Sequence, residues 1–373
     1  EAFTVKLSDN FNGNDGNVEV VNTFGATSAA ISIDASAFTG GTAALNVSAT
    51  NFDGADTFIG TSNADTINGG GGADTITGGG GADSIDGGLG VDTLKFTREQ
   101  LAGVTTVIGG GGTDILLLTA ATTALVDADF SKFSGVETLQ LANGANTIVL
   151  GTIAKNTAGI NTIVLGNVST SITLNDGVAM TIDASALPDG QTLTIAGNGS
   201  YTITGLVADL VSTATGTVST TLEDNGAAVN TTITNNAAAG SLTVNSGTFD
   251  ADDTIVLAGS RAITVAATDS LNITTGAASA SISQATNKTA VVNADLMADD
   301  ANLTISGAGS FTVTGLMANL SSTAEGTIAV TLEDDTLTAV STTVTNNAVN
   351  APTSFTVNSG TFDADDTIVL AGS

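Results

Sequence analysis

Asp56, Asp65, Asp74, Asp83 and Asp92 follow one another at nine-residue intervals, each behind glycines or asparagines and ahead of a short apolar run. From residue 51 to 95 the chain reads NFDGADTFI, GTSNADTIN, GGGGADTIT, GGGGADSID and GGLGVDTLK. Carboxylate oxygen is the hard donor that calcium selects. Glycine admits positive φ, which lets neighbouring carbonyls turn inward towards an ion. The order G-G-x-G-x-D-x-U-x is that of a calcium-binding parallel β-roll.

The elements that must position these aspartates follow from the same period. Six residues of each nonapeptide make a turn and three a strand, with the apolar eighth residue (Phe58, Ile67, Ile76, Ile85 or Leu94) pointing into the core. Two nonapeptides complete a coil, so Asp56, Asp74 and Asp92 stack on one side and Asp65 and Asp83 on the other. Three inter-coil sites are expected: 56 with 74, 74 with 92, and 65 with 83. Asn63 and Asn51 stand at motif glycines, where a left-handed φ is expected of them. A sixth motif, GGGGTDILL, places Asp114 twenty-two residues after Asp92. Either the coil at 96–108 bulges by four residues and keeps Asp114 beneath Asp92, which is the favoured reading, or a new roll begins. Stacked carboxylates repel without an ion, so the roll is expected to fold only with calcium.

Other acids make weaker patterns. Phe249-Asp250-Ala251-Asp252-Asp253-Thr254 and its copy Phe362-Asp363-Ala364-Asp365-Asp366-Thr367 resemble Phe52-Asp53-Gly54-Ala55-Asp56-Thr57. Asp53, Asp250, Asp253, Asp363 and Asp366 are therefore candidate ligands, with solvated loop acids as the alternative. Glu223-Asp224 recurs as Glu333-Asp334, and an Asn/Asp/Gly loop at 9–17 lacks the EF-hand order.

Thirty-seven acids against seven bases give a net charge of -30, which repels nucleic acid and anionic lipid and attracts cations. With no Cys, neither disulfides nor thiolate sites are available. No His or Cys supplies a base or nucleophile, and the string nearest a nucleophile elbow, residues 60–64, lacks the closing glycine. No enzyme activity is expected, and no twenty-residue apolar run suggests membrane insertion.

Alternating runs broken by Gly, Asn and Asp predict an all-β chain: a parallel β-roll followed by tandem repeats built as a β-solenoid or a β-sandwich. Helical turns are expected only at 98–102, 206–212 and 316–322. Residues 193–224 recur at 303–334, and 243–260 return unchanged as 356–373. The expected division is a lead-in (1–50), a calcium roll (51–118), a linking β-region (119–180), a first repeat (181–290) and an incomplete second repeat (291–373). In the linking region, GANTIVL and GINTIVL carry Asn where the motif has Asp, as turns that kept a strand and lost a charge. The sequence reads as a piece of a longer chain.

GGGGADTITGGGGADSIDGGLGVDTL closely resembles the repeats-in-toxin (RTX) family. The resemblance implies calcium ligation by Asp56, Asp65, Asp74, Asp83, Asp92 and Asp114, with Asn63 in a glycine position. It extends to the turn glycines Gly69, Gly70, Gly72, Gly78, Gly79, Gly81, Gly87, Gly88 and Gly90. It also implies type I secretion from a Gram-negative cell and folding in extracellular calcium. TIDASAL, FSGVETLQL and the Thr/Ala/Ser/Val-rich repeats resemble RTX-type surface-layer (S-layer) proteins, which implies a calcium-dependent lattice on the outer cell surface. Self-association through calcium would be the principal partnership, with lipopolysaccharide or another surface glycan held by a region outside this chain. A large RTX adhesin is the second reading.

Overall fold

The computed structural model describes residues 3–6, 18–21, 28–38, 43–48, 52–334, 341–350, 352–362 and 366–372. The loop at 9–17, Asn51 and Asp363 lie outside the described residues. The chain divides into two compact units, Glu1–Ile182 and Asp183–Ser373. Each is an all-β parallel solenoid.

In the first unit, Thr57–Ile59, Thr75–Thr77, Thr93–Phe96, Ile115–Leu118 and Thr138–Gln140 pair side by side in one sheet. Leu45–Ser48, Thr66–Asn68, Ser84–Leu89 and Thr106–Gly111 form the facing sheet. Each short strand points one residue inward and its neighbours outward, the period of two of a pleated strand. Phe58, Ile76, Leu94, Leu116 and Leu139 stack in register and are fully buried, opposite Ile67, Ile85 and Val107. Burying one such side chain contributes about 2 kcal/mol. The strands therefore hold the coils together, and the turns between them are fixed at one coil's spacing.

The four extra residues before Asp114 are taken up by a short helix, Arg98–Leu101, whose Leu101 is buried. Arg98 pairs with Asp129 at 3.3 Å. Register resumes beyond it: Ile115 pairs with Thr93, and Val107 with Ile85. The roll bulges and does not restart. The helical turns expected at 206–212 and 316–322 are not found. There the chain bends between strands Ser200–Leu206 and Asp209–Ser212, and between Ser310–Leu316 and Asn319–Ser322. Leu206, Ala208, Leu210 and Ser212 are buried at alternate positions, so a period of two overrides the helix-forming residues between them.

The second unit contains both tandem copies as solenoid coils rather than sandwiches. Equivalent side chains make equivalent bonds. Thr231 Oγ1 donates to Val207 O (2.8 Å) and Thr342 Oγ1 to Met317 O (2.6 Å). The backbone N–H groups of Asp224 and Asp334 donate to Thr248 and Thr361 hydroxyls at 2.8 and 2.9 Å. The first copy takes eleven strands, Thr192–Gly197 through Thr289–Asn293, before Asn302–Gly307 starts the second. Successive strands alternate between two sheets, so an odd number turns the second copy over. Leu193 and Leu303 lie in opposite sheets, as do Tyr201 and Phe311, and Ile255 and Ile368.

Candidate metal centre

The aspartates on one side of the roll form a continuous column. The backbone N–H of Asp56 donates to Asp74 Oδ1, that of Asp74 to Asp92 Oδ1, and that of Asp92 to Asp114 Oδ1, each at 2.8 Å. Above them Ile31 N–H donates to Asp56 Oδ1 at 2.7 Å. Below them Asp114 N–H donates to Glu137 Oε2 at 2.8 Å. Sequence reasoning did not single out Glu137. Its signal was the string Gly135-Val136-Glu137-Thr138-Leu139, which repeats Gly90-Val91-Asp92-Thr93-Leu94 with a longer acid.

One oxygen of each aspartate is thus committed to the neighbouring coil, and the other is not. Asp56, Asp74, Asp92 and Asp114 are at most 1% exposed, and the Oδ2 of each is buried with no hydrogen-bond partner. An orphaned buried carboxylate oxygen is costly unless a cation or a proton neutralises the group. The glycines leave room for one. A methyl group on Gly69 would lie 2.5 Å from Asp74 Oδ2 and 2.3 Å from Gly87 O. One on Gly87 would lie 2.5 Å from Asp92 Oδ2 and 2.3 Å from Gly109 O. Carboxylate and carbonyl oxygens of successive turns therefore flank the same small space.

Positive φ recurs in the pairs Gly70/Gly72, Gly79/Gly81, Gly88/Gly90 and Gly110/Gly112, the second and fourth motif positions. At Gly90, with φ at +134°, a Cβ would sit 1.6 Å from Gly72 O, so both conformation and coil spacing demand glycine. Gly78 abuts Asp83 in the same way: a methyl group there would lie 2.6 Å from Asp83 Oδ2.

Burial is the main cause of raised carboxyl pKa values throughout the roll. It pushes Asp74 and Asp83 up to about 7 and Asp92 up to about 6, with neighbouring carboxylates adding to the effect. Asp56, Asp65 and Asp114 are raised for the same reason.

The opposite column is built differently. Asp65 N–H donates to Asp83 Oδ1 at 2.9 Å, which matches the first column. Asp65 itself is closed within its own turn, however. Its Oδ2 accepts Thr61 N–H at 2.7 Å, and its Oδ1 accepts Leu45 N–H at 2.6 Å and the Thr61 hydroxyl at 2.9 Å. The left-handed φ expected of Asn63 is not found: among the described non-glycine residues only Asp176 and Asn287 have positive φ. Asn63 instead donates its backbone N–H to Thr61 Oγ1 and its amide to Ala43 O, so side-chain bonds shape a turn that glycine shapes elsewhere. On the far side, the Gln100 amide donates to Gly79 O.

The charge-depleted turn at Asn146 repeats the aspartate geometry with a neutral group. Asn146 is buried, and its Oδ1 accepts Thr122 N–H from the previous coil at 3.0 Å. Its Nδ2 donates to Ala142 O at 3.0 Å and Gly144 O at 2.8 Å. The amide supplies the positive hydrogens where an aspartate turn leaves an oxygen unpaired. Asp253 follows a third route: Oδ1 accepts Val229 N–H (3.0 Å) and Oδ2 accepts Asp250 N–H (2.8 Å). Asp250 and Asp252 are exposed beside it, with ligand oxygens of all three within 4.8 Å of one another. Asp53 is exposed and Asp366 half-buried.

Residues 52–84 and 59–94 match the RTX calcium-binding nonapeptide repeat in four copies. These turns are thus similar to RTX calcium-binding repeats. Neither a curated protein nor a solved structure matches the chain. RTX nonapeptides bind calcium, and the buried aspartate turns fit that ion: the donor set is all oxygen, which suits a hard cation and not zinc or copper. Asp74, Asp92 and Asp114, with the carbonyls of Gly87 and Gly109, would hold it on the first side. When bound, calcium supplies the positive charge that keeps these carboxylates ionised and the turns closed. Binding would thereby be coupled to folding of the roll. RTX repeats occur in proteins secreted by the type I route, and no helix among the described residues is long and apolar enough to cross a membrane.

Proposed function

We propose that this protein is a structural subunit of a calcium-dependent two-dimensional layer on the outside of a Gram-negative cell. The observation that carries this reading is the inversion of the tandem copies. The eleven strands of the first copy place the equivalent surfaces of the second on the opposite sheet of the same unit. The Glu223-Asp224 turn follows a strand of one sheet, and the Glu333-Asp334 turn a strand of the other. A subunit with the same surface on two opposed sides can make the same contact with a neighbour on each side, as sheet growth requires.

Charge supports the same reading. A chain of net charge -30 resists self-association until divalent cations neutralise it, so extracellular calcium would fold the roll and permit assembly together. Small Ala, Thr, Ser and Val residues suit a scaffold made in quantity, with rigidity coming from backbone ladders.

Negative-stain microscopy of the purified protein across a calcium titration tests the proposal. Ordered sheets at millimolar calcium are expected. Soluble monomers over the whole range would refute the lattice and favour an RTX adhesin.

A further inference from the structure

We propose that calcium occupies an additional site one coil beyond the nonapeptide ladder, between the turn at 109–114 and the turn at 135–137, with Asp114 and Glu137 as its carboxylates. The inference rests on the calcium chemistry of the RTX turns and is independent of the lattice reading.

Asp114 is fully buried, and its Oδ1 is used by Asp92 N–H at 2.8 Å. That bond accounts for the coil above and leaves Oδ2 buried with no partner. The oxygen faces the coil below. A methyl group on Gly109 would lie 2.7 Å from Asp114 Oδ2 and 1.8 Å from Gly135 O, so the two oxygens border one space. Gly69 and Gly87 mark the equivalent spaces inside the ladder, each bordered by an aspartate Oδ2 and the carbonyl of the next turn. The same arrangement is therefore built once more, outside the residues that match the repeat.

Glu137 then stands where the next aspartate would. Its Oε2 accepts Asp114 N–H at 2.8 Å, the bond that Asp92 and Asp114 each make to the coil above. Two carboxylates, one of them buried and half-satisfied, converge with a backbone carbonyl, which is a hard-oxygen set that calcium takes. The coil after Glu137 needs no ion. There Asn161 donates its amide to Gly159 O at 2.7 Å, and the Lys155 ammonium bonds Asn161 Oδ1. The ladder passes from calcium to side-chain cations at this step, which makes the Asp114–Glu137 site its last.

The test is an ion count on the full chain, by calorimetric calcium titration and native mass spectrometry, for the wild type and Glu137→Gln. The glutamine oxygen can still accept Asp114 N–H, so the coil's hydrogen bond persists while a charge is lost. The variant is expected to bind one ion fewer, or one ion at least about tenfold more weakly, with the others unchanged. An unchanged count with unchanged affinities overturns the site. Anomalous diffraction from calcium-saturated wild-type crystals decides the matter without a variant: a peak bonded to Asp114 Oδ2 and Gly135 O supports the site. Peaks in the ladder with none here refute it. No peaks anywhere in the roll would instead overturn the calcium reading of the ladder.

Discussion

Asp92→Asn should make the roll more stable without calcium and less stable with it. Asp92 lies between Asp74 and Asp114 in the column, its Oδ1 bonded and its Oδ2 unpaired. The Asn146 turn shows what an asparagine does in that setting. Its Oδ1 keeps the bond from the coil above, while Nδ2 donates to carbonyls four and two residues earlier. At position 92 those carbonyls belong to Gly88 and Gly90. The gain can be sized from the carboxyl group that disappears. Burial first, then the Asp114 charge, lifts its pKa from 3.8 to about 6. At about 1.4 kcal/mol per unit this is ~3 kcal/mol against the ionised form at neutral pH. Relaxation around the buried charge recovers part of it, leaving roughly 1.5 kcal/mol.

The sign has a pH signature. A carboxyl whose folded pKa is raised contributes its stability below the unfolded value and loses it as pH rises through the folded value. The variant's advantage in chelator is therefore absent below about pH 4 and complete above about pH 6.5. Hydrogen exchange of peptides covering 75–118 reads the local opening free energy. Roughly tenfold greater protection of the variant is expected in chelator at pH 7.5. In saturating calcium the order reverses, because an anionic ligand is lost from the sites on either side of residue 92. Lower protection of the variant in chelator, or a difference independent of pH, would refute the reasoning.

Chelation should strip protection from 52–118 and leave most of 192–334, where the buried Asp253 is satisfied by backbone donors; equal loss in both regions would count against a localised ion requirement. Gly90→Ala combines φ at +134° with a 1.6 Å approach to Gly72 O. It should cost more than about 3 kcal/mol, seen as a fall in the calcium-saturated melting temperature. Calcium affinity should drop as pH falls from about 7.5 towards 5.5, since Asp74 and Asp83, pushed up to about 7, and Asp92, at about 6, take up protons that compete with the ion. Calorimetry in buffers of different ionisation enthalpy would register the matching proton release on binding.

Much of this was legible because the nonapeptide encodes strand, turn and ligand in one period. The column Phe58, Ile76 and Leu94 follows from spacing alone, as does the stacking of Asp74 on Asp56. The bulge at 96–108 was legible as a count of four residues and its helix as the turn at 98–102, which Leu101 anchors in the core. Asn63 was misread because a residue type was matched to a φ value, when Thr61 two positions earlier supplied a hydroxyl that made the left-handed turn unnecessary. The bends at 207–208 and 317–318 were misread because helix-forming residues in a short window carry less weight than burial at alternate positions. Glu137 was missed because the motif was sought as an aspartate, while the register that places it beneath Asp114 needs the fold.

The solenoid gives each coil the same electrostatic problem and solves it with different groups. A turn that brings carbonyls inward needs positive charge or a donor at its centre. Calcium can provide it where the centre is an aspartate with an orphaned oxygen, as at 74, 92 and 114. The Asn146 amide provides it without an ion, and the Thr61 and Asp250 backbone N–H groups do so for Asp65 and Asp253. Dependence on calcium should therefore be strongest in the roll, where the orphaned oxygens lie. A chain built this way can keep most of its strands formed at any calcium level, while a few coils report the ion.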